Sequence, residues 1–160
     1  MYNKSLNTSS GSYNTKKRAI QNIDNGAAVT RTLTDAESGT LYLVDMSTVD
    51  NDVAITLPTA SDSEGVWFDF CFTVACDDDA DFSVTTGADG TDIYGYIVTG
   101  AANSTVDDVD GLSKITVDGS VAQTTEGMRL TFLCDGTNWH LSGYNPTAIG
   151  TVLVVESASA

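Results

Sequence analysis

Basic residues, histidine and long apolar runs are all scarce in this sequence of 160 residues. It holds seven Lys and Arg side chains against 22 Asp and Glu, together with a single His. One histidine excludes multi-histidine metal centres and most catalysis by a histidine base. A net charge of -15 repels phosphates, so we expect no nucleic-acid partner. Because no apolar run approaches the roughly 18 residues of a membrane helix, we expect no membrane partner either.

Cysteine is also scarce, and its number is odd. Cys71, Cys76 and Cys134 lie in or beside stretches that read as strands. A disulfide framework of a secreted protein would use an even number. We therefore expect free, buried thiols in a protein made in a reducing host cytoplasm.

What the sequence does contain is typical of strands. Its length fits one domain, 41% of its residues are apolar, and Thr and Val are abundant. The clearest stretch, residues 66–74, alternates with period two, which predicts one core-facing side. That core-facing set is Val66, Phe68, Phe70, Phe72 and Val74. Further strands are predicted at residues 40–44, 53–57, 82–86, 93–98, 114–117, 128–134, 138–142 and 151–155.

Turn residues separate these stretches. Asp-Gly pairs supply the positive φ angles that tight turns require, and they occur at positions 89–90, 110–111, 118–119 and 135–136. The last pair predicts a hairpin near the C-terminus. Helix is predicted only around residues 35–38. The sequence therefore predicts an all-β fold, an antiparallel β-sandwich or barrel-like body, with an extended N-terminal arm.

Charge divides the chain into two parts. Residues 1–31 carry a net charge of +4, whereas residues 32–160 carry -19. We interpret residues 1–28 as an extended basic arm and residues 29–160 as a β-rich body. The alternative is a disordered terminus without a role.

The acidic clusters at residues 77–81 and 107–110 are candidates for binding Ca²⁺ through carboxylate oxygens. Neither has the alternating acids, Gly and final Glu of an EF-hand loop, so solvated loop acids are the favoured interpretation. No pair of carboxylates stands out for glycoside hydrolysis, and His140 lacks a recognisable Ser-His-Asp context. We expect no enzyme activity, no catalytic residues, no metal and no cofactor.

Six short motifs follow one another along the chain. They are Thr56-Leu57-Pro58, Gly65 before Phe68-Asp69-Phe70-Cys71-Phe72, Asp92-Ile93-Tyr94-Gly95, Gly127-Met128-Arg129-Leu130-Thr131-Phe132, Asp135-Gly136-Thr137-Asn138-Trp139 and Ser142-Gly143-Tyr144. This ordered set resembles small β-rich structural proteins of tailed bacteriophages. The similarity is to capsid decoration (cement) proteins and to the related knobs of head and tail fibres. It implies a structural virion protein on the outer capsid surface that clamps neighbouring subunits of the major capsid protein, usually as a homotrimer. The alternative that it implies is a fibre knob binding a host receptor or glycan.

Two groups of residues are predicted to make these contacts. The capsid-binding arm is expected to use basic residues for steering and apolar residues as anchors. Its predicted residues are Tyr2, Lys4, Leu6, Tyr13, Lys16, Lys17, Arg18, Ile20 and Ile23. The oligomer interface is predicted at apolar residues on the outer sides of strands, namely Trp67, Tyr94, Tyr96 and Leu153.

Overall fold

The computed structural model describes residues 18–76, 79–87, 91–100, 106–119, 125–146 and 153–157, with the backbone alone for 106–108 and 153–157. These residues form eleven strands and two single-turn 3₁₀ helices, Asp35–Glu37 and Ala60–Asp62. The strands are β1 (Ile20–Asp24), β2 (Val29–Thr32), β3 (Leu41–Asp45), β4 (Val53–Thr56), β5 (Trp67–Phe72), β6 (Phe82–Thr85), β7 (Ile93–Thr99), β8 (Val106–Val117), β9 (Arg129–Cys134), β10 (Trp139–Asn145) and β11 (Leu153–Ser157).

Every strand predicted from the sequence is present, and so is the helical turn near residue 35. The predicted strand at residues 66–74 ends early, at Phe72. Val74, predicted to face the core, is therefore 36% exposed. Neither β1 nor β2 was predicted; β1 lies inside the part of the chain interpreted as an arm, and β2 begins at the first residue of the predicted body.

The first six strands are placed alternately on two sides of the body. β1, β3 and β5 pair in parallel on one side, and β2, β4 and β6 pair in parallel on the other. Two consecutive strands, one on each side of the body, therefore make one turn of the chain. The turns β1–β2, β3–β4 and β5–β6 stack on one another, and we call them the three rungs. Positions 20, 41 and 69 align in the first stack. The unequal spacing leaves no fixed sequence period to detect.

The sheet is mixed, which corrects the expectation of antiparallel pairing. Half of the strand pairs within the described residues are parallel. The connections from β1 to β2, from β3 to β4 and from β5 to β6 carry the chain across to the opposite side instead of back along the same sheet. Consecutive strands in the rungs therefore do not pair with each other, and each strand meets the equivalent strand of the next rung.

The later strands close the sheet. β9 pairs with β5 and forms a hairpin with β10, β10 pairs with β7, and β8 joins β7 to β6, with β11 added to β8. The two ends of this order are β1 and β2, which are linked by residues 25–28. The predicted all-β, barrel-like body is confirmed, and it is nearly closed.

An aromatic core joins the two sides of the body. Phe68, Phe70 and Phe72 alternate along β5 and are almost fully buried. Phe82 of β6 lies across from them, with its ring centroid 5.4 Å from that of Phe70 and 5.1 Å from that of Phe72. Trp139 stacks on Phe68 at 5.9 Å. This edge-to-face and stacked packing fixes the distance between the two stacks of strands.

The seam between β1 and β2 is filled by a polar cluster around Arg31. Its guanidinium forms an ion pair with Glu37, donates a 2.6 Å hydrogen bond to Gln21 Oε1 and lies over the ring of Tyr42. Burial raises the pKa of Glu37, but hydrogen bonds from Thr34 and Arg31 outweigh it and hold that pKa below its usual value. Burial and the Glu37 charge raise the pKa of Tyr42 to about 12.

Acidic and amide side chains hold the loops of successive rungs together. Asn25 is fully buried, donates hydrogen bonds to the carbonyls of Thr48 and Asn51, and accepts one from the Thr48 amide. Asp52 accepts a bond from the Asp81 amide. Asp81 in turn accepts one from the Gly119 amide. Several of the many aspartates therefore serve as backbone caps.

The Asp-Gly pairs have different roles. Gly136 has φ 91° in the predicted β9–β10 hairpin, which is confirmed. Gly111 has φ 69° but lies inside β8 as a bulge, because β7 pairs first with Leu112 and then with Asp110. Gly119 is outside the left-handed region; a Cβ there would lie 2.2 Å from the Ala80 carbonyl oxygen. The pair at 89–90 lies outside the described residues.

Candidate functional site

Side chains that point outwards from β5, β9, β10 and β7 form one continuous surface, which we call the outer aromatic face. The register of the four strands arranges these side chains in three rows. The rows are Trp67–Leu133–His140–Tyr94, Asp69–Thr131–Ser142–Tyr96 and Cys71–Arg129–Tyr144–Val98. β3 and β1 extend the second row through Leu41 and Ile20 and the third through Leu43 and Asn22.

Exposed apolar area is concentrated on this face. Of the seven large apolar side chains that are exposed among the described residues, five lie on it. They are Ile20 (61% exposed), Trp67 (36%), Tyr96 (49%), Leu133 (47%) and Tyr144 (48%). At strand spacings of about 4.8 Å, the six strands span roughly 24 Å of surface. Such a concentration of exposed apolar side chains on one surface is typical of a binding surface.

The opposite side of the body has a different surface. The outward positions of β2, β4 and β6 are occupied by small side chains, mostly with hydroxyl groups. They are Thr30, Thr32, Ala54, Thr56, Ser83 and Thr85, and we call them the hydroxyl face. Thr85 and Ser83 donate long hydrogen bonds to carbonyls of β4. The two faces differ in side-chain size and in exposed apolar area, so only the outer aromatic face has the composition of a binding surface.

A charged cluster crosses one end of the outer aromatic face. The Arg18 guanidinium forms an ion pair with Asp69, lies 4.6 Å above the Trp67 ring, and donates a 2.8 Å hydrogen bond to the Gly39 carbonyl. Thr131 also donates a hydrogen bond to Asp69. Arg18 therefore holds the chain that enters β1 against β5.

Arg129 lies on the same face and is exposed, and within the described part of the chain it has no ion-pair partner. It borders a shallow depression of about 60 Å³ together with Leu41, Asp69, Phe70, Cys71 and Thr131. Small-molecule sites occupy about 300–1,000 Å³, so this depression holds only a few waters. A flat surface that binds a macromolecule fits this shape better than a substrate pocket does.

His140 is fixed at the hairpin end of the face. Its Nε2 lies 2.7 Å from Asp135 Oδ2, while Asp135 Oδ1 accepts 2.8 Å hydrogen bonds from the amides of Thr137 and Asn138. The His140 contact and these two amides lower the pKa of Asp135 to about 2. Both oxygens of the Asp135 carboxylate therefore stabilise the hairpin.

Tyr94 lies at the β7 end of the first row, next to His140 and opposite the Trp67 end. A Cβ at Gly111 would be 3.5 Å from the Tyr94 hydroxyl oxygen, so the ring covers the bulge in β8. The charge of Asp92 raises the pKa of Tyr94, and burial adds to that effect. Tyr94 is consequently partly engaged within the subunit, whereas Tyr96 is more exposed.

The structure brings three predicted interface residues together. Trp67, Tyr94 and Tyr96 lie on the outer aromatic face, and Leu153 begins β11 with a side chain outside the described residues. Of the predicted arm, Arg18 and Ile20 also lie on or beside this face. Ile23 is 3% exposed in the core, so it packs inside the body and is not available as an anchor. The predicted residues Tyr2, Lys4, Leu6, Tyr13, Lys16 and Lys17 lie outside the described residues.

Leu133, Tyr144 and Arg129 belong to the face but were not predicted from the sequence. The alternation within residues 128–134 already separates Leu130 and Phe132 from Arg129, Thr131 and Leu133. Assigning the second set to the same surface as Trp67 requires the β5–β9 register, which only the tertiary structure supplies. Tyr144 was missed because β10 continues to Asn145, beyond the predicted strand end.

Acidic side chains gather along one edge of the body, where the chain crosses from β1, β3 and β5 to β2, β4 and β6. We call this the acidic edge; it holds Asp24, Asp45, Asp50, Asp52, Asp79, Asp81 and Asp118. Among the described residues, no group of three His, Cys, Asp or Glu side chains is arranged to hold a metal ion.

The cysteines are free within this structure. Cys76 and Cys134 are buried, and Cys71 is half-buried on the outer aromatic face. Burial raises the pKa of both the Cys76 and the Cys134 thiol. Within the described residues, no helix is long and apolar enough to span a membrane.

Comparisons of the chain with protein-family models, with curated proteins and with solved structures give no match.

Proposed function

We propose that this chain is a structural protein of a virion, which decorates the outer capsid surface and clamps neighbouring subunits of the major capsid protein. The observation that carries the proposal is the concentration of exposed apolar side chains on the outer aromatic face. A net charge of -15 already favours solubility, and exposed apolar side chains add nothing to it. Contact with another protein accounts for the presence of this apolar face.

The basic N-terminal segment supplies the contact with the capsid, while the outer aromatic face is left for contacts between subunits. Residues 1–17 include Lys4, Lys16 and Lys17 and no acidic side chain, whereas residues 32–160 carry a net charge of -19. Attachment of an acidic body to an acidic shell needs a segment of opposite sign. In a homotrimer, three such segments bind the shell together, and their effective concentration makes modest contacts cumulative.

The test uses capsids prepared without this protein. Full-length chain is mixed with them, and bound chain is measured by co-sedimentation and located by electron microscopy. We expect binding on the outer surface, and loss of binding when residues 1–17 are deleted. Changing Lys16 and Lys17 to Gln should weaken attachment most at low salt. Lys114→Gln, which removes one positive charge from the body, is the control.

A fibre knob that binds a host glycan or receptor is the second candidate. The outer aromatic face favours it, because Tyr96 and Tyr144 alternate there with Ser142 and Thr131, and rings beside hydroxyl groups suit sugar recognition. The two functions give opposite results. A decoration protein binds capsids and not host envelopes, whereas a knob binds purified host envelopes and leaves capsids bare. Binding to neither would reject both proposals.

A further inference from the structure

We propose that the outer aromatic face docks onto the acidic edge of a second copy of this chain, so that the subunits associate head to tail. This inference rests on the self-association part of the proposed function and is independent of capsid attachment.

The outer aromatic face carries one arginine that is left without an ion-pair partner among the described residues. Two of the four Lys and Arg side chains in the described residues, Arg18 and Arg129, lie on it. Arg18 is neutralised by Asp69, but Arg129 has no ion-pair partner there. An exposed arginine paired across the strands with the exposed Tyr144 fits a partner that supplies a carboxylate beside an apolar contact.

The surface that is complementary to Arg129, the acidic edge, is present on the same chain. The acidic edge carries seven aspartates, of which Asp24, Asp45, Asp52 and Asp81 bond to backbone amides. Asp50 and Asp79 are exposed, and no hydrogen bond ties them within the described residues. These two carboxylates are therefore available to Arg129 of another copy.

Neither of the two surfaces is complementary to the same surface on a second copy. Two outer aromatic faces brought together would leave Arg129 without a free carboxylate, because Asp69 is paired with Arg18 and Asp135 with His140. Two acidic edges brought together would repel each other, whereas a contact between unlike surfaces pairs Arg129 and avoids that repulsion. Such a heterologous contact closes into a ring when the rotation between neighbours divides a full turn.

The first experiment measures the oligomeric state of the full chain by sedimentation velocity across micromolar concentrations. Arg129→Glu should weaken association about tenfold or more, while Arg129→Lys should retain most of it. Asp50→Asn with Asp79→Asn should also weaken it. The matched control is Thr30→Glu with Thr32→Glu, which makes the same change of two charge units on the hydroxyl face and should leave association unchanged.

The second experiment mixes the face variant Arg129→Glu with the edge variant Asp50→Asn/Asp79→Asn. Each variant keeps one intact surface, so the mixture should form a heterodimer that neither variant forms alone. A contact between like surfaces would give no such recovery. Circular dichroism of each variant confirms that the body is folded before mixing.

Three results would overturn the inference. A monomeric wild-type chain would remove self-association altogether, and an oligomer unaffected by Arg129→Glu would place the contact elsewhere. An oligomer whose variants fail to complement each other would make the contact isologous. Capsid attachment, measured separately, decides the proposed function without reference to any of these.

Discussion

At the scale of single residues, close backbone approach imposes the strictest demands on this sequence. Gly95 lies in β7, where it pairs with Leu141 of β10. A Cβ at this position would lie 1.8 Å from the Leu141 carbonyl oxygen, and the residue has φ 145°. The obstructing atom belongs to the backbone of a central strand, so only displacement of that strand could relieve the clash.

Gly95→Ala should therefore destabilise the fold by about 3 kcal/mol or more, because it combines overpacking with strained backbone. The matched control is Gly65→Ala, where φ is 80° but nothing lies within 4 Å of the added Cβ. That change should cost only about 1–2 kcal/mol of left-handed strain. Urea unfolding of both variants measures the difference; equal losses would mean that β7 moves away from β10 freely.

The Arg31 cluster predicts a dependence of stability on pH at both extremes. The folded-state pKa of Glu37 is lowered, so its contribution is present above its ordinary pKa of 4.5 and lost as the pH falls through the folded-state value. Glu37→Gln should lack this part of the acid sensitivity below about pH 5. The same substitution at the exposed Glu64 is the control, and identical acid profiles for the two variants would contradict the prediction.

Whereas the contribution of Glu37 is lost as the pH falls, Tyr42 contributes stability that is lost as the pH rises. Its pKa is raised from 10.0 to about 12, so the unfolded chain ionises first and stability falls as the pH rises between these two values. Tyr42→Phe should flatten that alkaline loss in unfolding experiments. Tyr144→Phe, which alters an exposed ring, should leave it in place.

At the scale of elements, β1 connects the basic segment to the body. Ile23 of β1 is buried in the core, and Asn25 follows it with three hydrogen bonds to the loop of the next rung. β1 also pairs along its whole length with β3. Its sequence has a single buried apolar residue, which is too little alternation for a strand to be predicted from it.

Two N-terminal truncations should consequently behave differently. Deleting residues 1–17 retains every contact described for Arg18 and β1, so the melting temperature should change little. Deleting residues 1–28 removes Ile23, Asn25 and one edge of the sheet, and should lower stability by several kcal/mol. Thermal unfolding followed by circular dichroism measures both. Equal stability of the two truncated chains would show that β1 adds nothing to the fold.

The nine strands from β3 onwards were predictable because their information is local, whereas β1 and β2 were not predicted. Alternation and turn residues determine where β5, β9 and β10 begin and end, to within a few residues. The parallel stacking of rungs was not predictable, because positions 20, 41 and 69 align without a fixed spacing. The outer aromatic face was only partly predictable, because its rows run across β5, β9, β10 and β7 and extend over β3 and β1, an order that differs from the order along the chain.

At the scale of the whole molecule, the charge distribution should govern stability. Residues 32–160 carry -19, and seven aspartates are gathered on the acidic edge. Added salt screens their mutual repulsion. The melting temperature should therefore rise by about 2–4 °C between low and moderate salt at one protein concentration, the shift that about 1 kcal/mol gives a domain of this size.

The acidic edge also provides the control for this salt effect. Asp50→Asn with Asp79→Asn lowers the charge density there and should reduce the gain from salt. A melting temperature that falls with added salt would instead indicate that ion pairs, such as the one between Arg18 and Asp69, dominate.

Chelation should leave the melting temperature unchanged. Asp52 and Asp81 are occupied as caps for backbone amides, and the described residues contain no group arranged for a metal ion. The measurement compares thermal unfolding in EDTA with unfolding in excess calcium chloride. A clear stabilisation by calcium would restore the interpretation of the acidic clusters as a binding site.

The order in which strands join the sheet has a consequence for synthesis on the ribosome. The three rungs need only residues up to about position 85, so they can stack while the rest of the chain is still being made. One edge of β5 then stays open until β9 arrives at residues 129–134, and the strand at that edge carries Phe68, Phe70 and Phe72. Nascent chains stalled in this interval should be the most prone to aggregate, and release of the β9–β10 hairpin from the ribosome should end that vulnerability.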